Sequence, residues 1–388
     1  MHILSIQVPT VSLEMTSILN IIICTLTGDT DKHVDFEGRA SWGKTIPSGD
    51  ADEDGNGHGT HCSGTVAGKK FGVAKKANII AVKVLRSNGS GSMSDVVKGV
   101  EWAATSHLKS VADAKNGKKK GFKGSVANMS LGGGKSPTLD KAVNAAVEVG
   151  LHFAVAAGND NADSCKYSPA AAENAVTVGA STLADERAYF SNFGKCNDIF
   201  APGLNILSTW IGSKYATNTI SGTSMASPHV CGLLAYFLSL QPASDSAYAV
   251  AEITPKQLKK DIIAVGTRNA LKDVPSGTEN VSPSINPSNQ RFILTIFRYS
   301  SSTVLESVTI PRSSKREDTV AKLLRSRLLS IRSRNSLMKP LMNSRLNSTS
   351  FSRRSLTKDL YLAWRASRGL YYDISGGLWD EGENTVSE

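Results

Sequence analysis

Long apolar runs are missing from this chain of 388 residues. The longest, residues 230–240, is broken by Cys, Gly, Tyr and Ser. No stretch reaches the ~18–20 apolar residues that a membrane-spanning helix needs, so no membrane partner is expected. A shorter apolar run at 18–24 has no Lys or Arg ahead of it, which makes it a poor secretory signal. Cysteine is scarce too: five residues, at 24, 62, 165, 196 and 231. None forms a CxxC pair or a Cys/His cluster with zinc spacing, which excludes a zinc ribbon and a dithiol redox motif. Internal repeats are absent, which excludes solenoids and propellers.

What remains is ordinary for a globular chain. Hydrophobic residues make up 40% and charged residues 20%, enough for one large α/β domain or two smaller ones. The net charge of +10 is unevenly placed. Residues 291–388 hold 17 Lys+Arg and 9 Asp+Glu, so the preceding 290 residues carry only +2. A basic nucleic-acid face is therefore not expected on the main domain. Cys165 and Cys196 lie 31 apart in polar, loop-like stretches. Paired as a disulfide they imply an oxidising compartment; as free thiols they fit a reducing one.

The texture divides the chain in three. Residues 1–25 are apolar and uncapped, an atypical N-terminal segment without a recognisable signal or pro-domain. Residues 26–275 alternate short apolar runs with amphipathic stretches, the pattern of strands crossing to helices in a parallel sheet. Strands are expected at 78–85, 125–130, 152–156, 175–178 and 198–201. Helices are expected at 61–66, 92–107, 138–149, 224–240 and 254–264, the last with Thr254 as N-cap and Pro255 at the first helical position. Residues 276–388 form a basic Ser/Arg-rich tail without a period. Disorder is expected there. The alternative is an RNA-associated segment acting through the tail.

Three segments carry chemistry. In GNGHGTHCSGT, His58 stands among glycines, which let backbone approach closely. In AVAAGND, an apolar strand ends at Gly158-Asn159 and sets an amide at the carboxyl edge of a sheet, where open α/β folds bind ligands. In SGTSMASPHV, Ser224 opens an apolar helix whose partly positive start favours a developing anion. Singly, these are an N-cap, a surface His and a turn Asn. Together they are a nucleophile, a base and an oxyanion donor, the components of acyl transfer.

These motifs, with SLGGG at 130–134, closely resemble the subtilisin-like serine peptidases of the proteinase K branch, nearest to the fungal vacuolar and alkaline proteases. The resemblance covers residues 33 to about 273. It implies a three-layer α/β fold, a mostly parallel sheet flanked by helices. It implies that Ser224 attacks the substrate, that His58 is its base, and that the Asn159 amide donates to the oxyanion. Losing that donor in subtilisin costs roughly 10²–10³ in turnover. The segments Gly89, Ser90, Gly91 and Ser130, Leu131, Gly132, Gly133 would pair with an extended substrate. Ala156, Ala157 and Gly158 would wall the pocket before the scissile bond and favour large apolar side chains. Catalysis needs no cofactor. Asp198, with backbone carbonyls near Glu173 and Ala175, resembles the family's structural calcium site. Partners would be protein or peptide substrates, a pro-domain or a proteinaceous inhibitor, and the chain would be a monomer. The family's compartment is vacuolar or extracellular. His61, Cys62, His229 and Cys231 are expected to pack near the site, with Cys62 conferring sensitivity to thiol reagents.

The chain departs from the family at one catalytic position. The triad Asp should stand seven residues before His33, ahead of Thr27-Gly28. Leu26 stands there. Leucine cannot fix the His58 tautomer, a loss worth about 10⁴-fold in turnover in such triads. The expected activity is impaired, and a peptide-binding pseudoprotease is the alternative. The abrupt changes of texture near both ends further predict a misread gene model.

Overall fold

The structure is a computed structural model. It describes residues 33–241 and 253–284, and of residues 19–23 the backbone. Leu26, Cys24 and the residues of the basic tail beyond 284 lie outside the described residues.

In chain order the elements are β1 (Leu19–Ile23), β2 (Ala40–Thr45), α1 (His58–Ala67), β3 (Asn78–Lys83), α2 (Met93–Lys115) and β4 (Ser125–Met129). A short β5 (Gly133–Gly134) follows, then α3 (Pro137–Glu148), β6 (His152–Ala156), β7 (Tyr167–Ser168), β8 (Val176–Ser181) and β9 (Ile199–Pro202). The hairpin β10 (Ile206–Thr209) and β11 (Thr217–Ile220) leads to α4 (Thr223–Ser239). Then come α5 (Pro255–Val265), β12 (Thr267–Arg268) and β13 (Val281–Ser282).

Seven strands form one parallel sheet in the order β2-β3-β1-β4-β6-β8-β9. Strands β4, β6 and β8 are buried at every residue, which is why they read as continuous apolar or small runs rather than alternating ones. Helices cover both faces. Met225, Val230 and Leu234 of α4 and Val66 of α1 pack in one cluster with Ile79, Val126 and Val178. Val96, Val100, Leu139 and Val143 of α2 and α3 pack in the other with Val82, Met129, Phe153 and Val155. This is the expected three-layer α/β architecture.

Local chemistry sets the helix starts. Ser92 caps α2 by accepting from the Asp95 N–H, and Ser136 caps α3 by accepting from the Leu139 N–H with Pro137 behind it. Thr254 caps α5 through the Gln257 N–H, with Pro255 following as expected. Helix α4 is buried over most of its surface, and so shows no amphipathic stripe.

Helix α1 starts three residues before its expected position and β8 ends three residues after; two larger differences concern α2 and the N-terminus. Helix α2 runs past His107 to Lys115, because Ser110 and Ala114 continue its buried face. At the N-terminus, Leu19–Ile23 forms a central strand between β3 and β4, upstream of residue 26 where the domain was expected to start. An unbroken Ile run suits a strand in the middle of a parallel sheet, and without alternation it left no period to read. The connection after β1 leads to one side of the sheet and that after β4 to the other. Their carboxyl ends therefore flank the crevice where such folds bind ligands.

Candidate functional site

The His58 loop is built by one carboxylate. Asp54 is buried and accepts from the backbone N–H groups of Asn56 (3.1 Å), Gly57 (2.5 Å) and Thr60 (2.9 Å), and from the Thr60 hydroxyl. It thus satisfies unpaired donors at the start of α1 and sets His58 as that helix's first residue. Burial, with a smaller contribution from the neighbouring His61, pushes the His58 imidazole down to about 4. A second anchor is Lys83, fully buried at the end of β3. Its ammonium donates to Ala51 O, Glu53 O and Ser87 Oγ, each at 3.0 Å, and lies 3.2 Å from the Asp50 carboxylate. It joins the loop before Asp54 to the turn that carries Gly89, Ser90 and Gly91.

Ser224 is the second residue of α4. Its hydroxyl donates to Ser130 O (3.3 Å), while the Ser130 hydroxyl donates to Ser224 O (2.6 Å). Asn128 donates to Ser130 Oγ (2.9 Å) and accepts from the Ser227 hydroxyl. This network locks the first turn of α4 to the end of β4. Helix α1 arrives on the same residue: the Cys62 thiol donates to Ser224 O at 3.4 Å. Cys62 stands four residues after His58, on the same helix face, so the helix that begins at His58 packs on the backbone of Ser224. The Ser224–His58 hydrogen bond itself is not made, because the hydroxyl is turned to Ser130 O. Catalytic hydrogen bonds of this kind are often long or poorly aligned before substrate binds.

Asn159 is oriented from behind. Its Oδ1 accepts from the Thr223 N–H (2.8 Å) and the Thr223 hydroxyl (2.9 Å), which turns Nδ2 the other way. Nδ2 and the Ser224 backbone nitrogen each lie 3.6 Å, and Asn159 Oδ1 3.8 Å, from the point where a Cβ on residue 222 would stand. Gly222 leaves that space open to both donors. Gly158 has a φ of 104°, which only glycine adopts readily. A side chain there would collide with Asn192. Asn192 is fully buried, donates to Ala157 O (2.9 Å) and accepts from the N–H groups of Asp160 and Ala162, each at 3.0 Å. It holds the loop that carries Asn159.

A cleft of about 290 Å³ runs beside these groups, lined by Asn56, His58, Leu85, Gly89, Ser130, Leu131 and Gly132. Gly133 instead pairs with Ser168 through β5 and β7. Ala156 and Ala157 are buried at the end of β6, next to Gly158 and outside the cleft lining. Asp54, Lys83 and Asn192 escaped the sequence reading. Asp54 sits inside the GNGHGTH neighbourhood and was legible as a cap; Lys83 and Asn192 carry no local signal.

The surrounding residues take structural roles. His61 is buried and donates to Ile206 O (2.9 Å). His229 donates to Met225 O (2.8 Å) one turn back, and the Cys62 and Cys231 side chains are buried. Cys165 and Cys196 are bonded as a disulfide, with Cα atoms 5.3 Å apart. The calcium expectation needs correcting. The oxygens of Asp198, Glu173 and Ala175 do converge, but on the Lys259 ammonium, at 2.8, 2.8 and 2.6 Å. With that cation in place the residues present do not fit a metal ion, and among the described residues no cluster of three His, Cys, Asp or Glu side chains could hold one.

Residues 20–282 match the Subtilase family, Peptidase S8. The chain belongs to that family. This subtilase is 84% identical over 255 residues to the subtilisin-like serine protease Cur l 4.0101 of Cochliobolus lunatus, a match covering 66% of this chain and 50% of that protein. It is 78% identical over 255 residues to alkaline protease 2 of Aspergillus fumigatus, covering 66% and 52%. The subtilase therefore spans about half the length of the curated relatives it matches. Among solved structures, a cold adapted subtilisin-like serine proteinase superposes with a TM-score of 0.60 at 41% identity, covering 70% of this chain and 89% of that one.

Proposed function

We propose that this subtilase is a serine endopeptidase whose nucleophile is Ser224, with His58 as general base and Asn159 and the Ser224 N–H as oxyanion donors. The observation that carries the reading is that Asn159 Nδ2 and Ser224 N lie together beside Gly222 at the start of α4, each 3.6 Å from one point. The Ser224 hydroxyl adds to the scissile carbonyl carbon as His58 takes its proton. The carbonyl oxygen becomes an anion held by the two donors. Collapse of this intermediate breaks the C–N bond, and the imidazolium returns the proton to the leaving amine. Water, deprotonated by His58, then repeats the addition and frees the acid product. Preorganised donors of this kind are usually the largest single contribution to such catalysis.

The substrate is an extended protein segment lying along Gly89–Gly91 on one side and Ser130–Gly132 on the other, with Ala156–Gly158 admitting an apolar side chain before the scissile bond. A family pro-domain or proteinaceous inhibitor would dock in the same cleft. The Cys165–Cys196 disulfide favours an oxidising compartment, outside the cell or in the vacuole. Leu26, in the register of the triad carboxylate, lowers turnover without removing the oxyanion donors. A serine-directed phosphonate probe tests the assignment. Labelling that is confined to Ser224 and abolished in Ser224→Ala supports a working nucleophile. No labelling of a folded sample leaves a peptide-binding module instead.

A further inference from the structure

Outside the cleft, at the β8–β9 edge of the main sheet, three oxygens point at one nitrogen. Lys259, on α5, reaches across to the residues that precede β8 and β9. Its Nζ lies 2.8 Å from Asp198 Oδ2, 2.8 Å from Glu173 O and 2.6 Å from Ala175 O. An ammonium has three N–H donors, and all three are engaged. The lysine and aspartate side chains are 17% and 19% exposed, so the contact is largely shielded from water. Asp198 is itself pinned to β8: it accepts from the Thr177 N–H (2.8 Å), and its own N–H donates to Thr177 O (2.9 Å). Glu279 adds negative potential to the same place.

An exposed ion pair is worth little and would leave the carbonyls to water. Here two backbone carbonyls and a carboxylate form a cradle of hard oxygen donors, the ligand type that calcium takes. A lysine head is a compact point charge that fills such a cradle without coordination geometry. We infer that Lys259 is a built-in cation occupying this oxygen cradle, that it makes the fold independent of calcium, and that removing its charge converts the cradle into a weak calcium site. The cradle offers one direct carboxylate and two carbonyls, so water must complete a shell of six to eight oxygens. Affinity should fall in the weak class, on the order of 10⁻⁴–10⁻³ M.

The test uses the full chain and reads heat and melting, so it stands apart from the chemistry at Ser224. Wild type, Lys259→Met and the double variant Lys259→Met with Asp198→Asn are melted in chelator and in millimolar CaCl₂, and titrated with CaCl₂ by calorimetry. Wild type should melt alike in both buffers. Lys259→Met should melt lower in chelator, bind one calcium and recover its midpoint with CaCl₂. The double variant should lose that recovery. A calcium-dependent rise in wild type that Asp198→Asn removes would overturn the proposal. So would a Lys259→Met chain whose midpoint CaCl₂ raises no more than that of wild type, including one that stays unfolded in both buffers.

Discussion

His58 accepts a proton only when neutral, and its ring is held down to about 4 by burial and by His61. The acid limb of kcat/KM should therefore lie near pH 4 in this chain, well below the 6.5 of a free imidazole. The same depression weakens the base, because a ring that binds protons poorly drives Ser224 deprotonation poorly. A carboxylate beside the imidazole would favour the charged form. Leu26→Asp should accordingly raise turnover by up to about 10⁴-fold and shift the acid limb upward together. Casein hydrolysis by both chains across pH checks this. A rise in turnover without the shift would place the new carboxylate away from His58.

Helix α1 begins where it does because Asp54 collects three backbone donors and one hydroxyl. Removing the carboxylate takes away this cap, and a lost cap of this kind costs about 0.5–2 kcal/mol. Asp54→Ala should lower the unfolding free energy measured in urea by that amount, and the midpoint with it. It should also reduce turnover, because His58 is the helix's first residue. Turnover retained beside a lowered midpoint would mean that the imidazole is positioned without the cap. The Cys165–Cys196 disulfide acts at the same scale, through the unfolded chain. Closing 31 residues restrains the unfolded chain by about 3–4 kcal/mol. Replacing both cysteines by serine should lower stability by roughly that much, measured by denaturant unfolding, with the fold retained.

Across the whole molecule, His58, His61, His107, His152 and His229 are all depressed, with burial the largest cause in each, His152 to about 3 and His229 to about 4. An unfolded chain binds protons at these groups from 6.5 downward, while the folded chain does not. Stability should therefore be full above pH 6.5 and fall as the pH drops through the range between 6.5 and 4. Burial raises the Asp54 and Asp198 carboxyls, and these oppose the loss only as the pH nears the carboxylate range. Melting temperature against pH checks the sign; a rise on going from pH 7 to pH 5.5 would refute it. Charge is also divided at this scale, since residues 291–388 carry +8 of the total +10.

Local chemistry in the sequence determined a good deal. Caps at Ser92, Ser136 and Thr254, the buried runs of β4, β6 and β8, and the three motifs around His58, Asn159 and Ser224 are short-range patterns, each written within about ten residues. The central strand at Leu19–Ile23 was hidden because its short Ile run follows no cap or turn signal and shows no alternation. Other features needed the tertiary structure, because they depend on distances between residues far apart in the chain. Asn192 holds the Asn159 loop from some thirty residues away, and Lys83 reaches as far to Ala51 and Glu53. Lys259 fills the Asp198 cradle from a helix 61 positions on. Resemblance to the family names the oxygens of such a cradle; only the folded chain decides which cation reaches them.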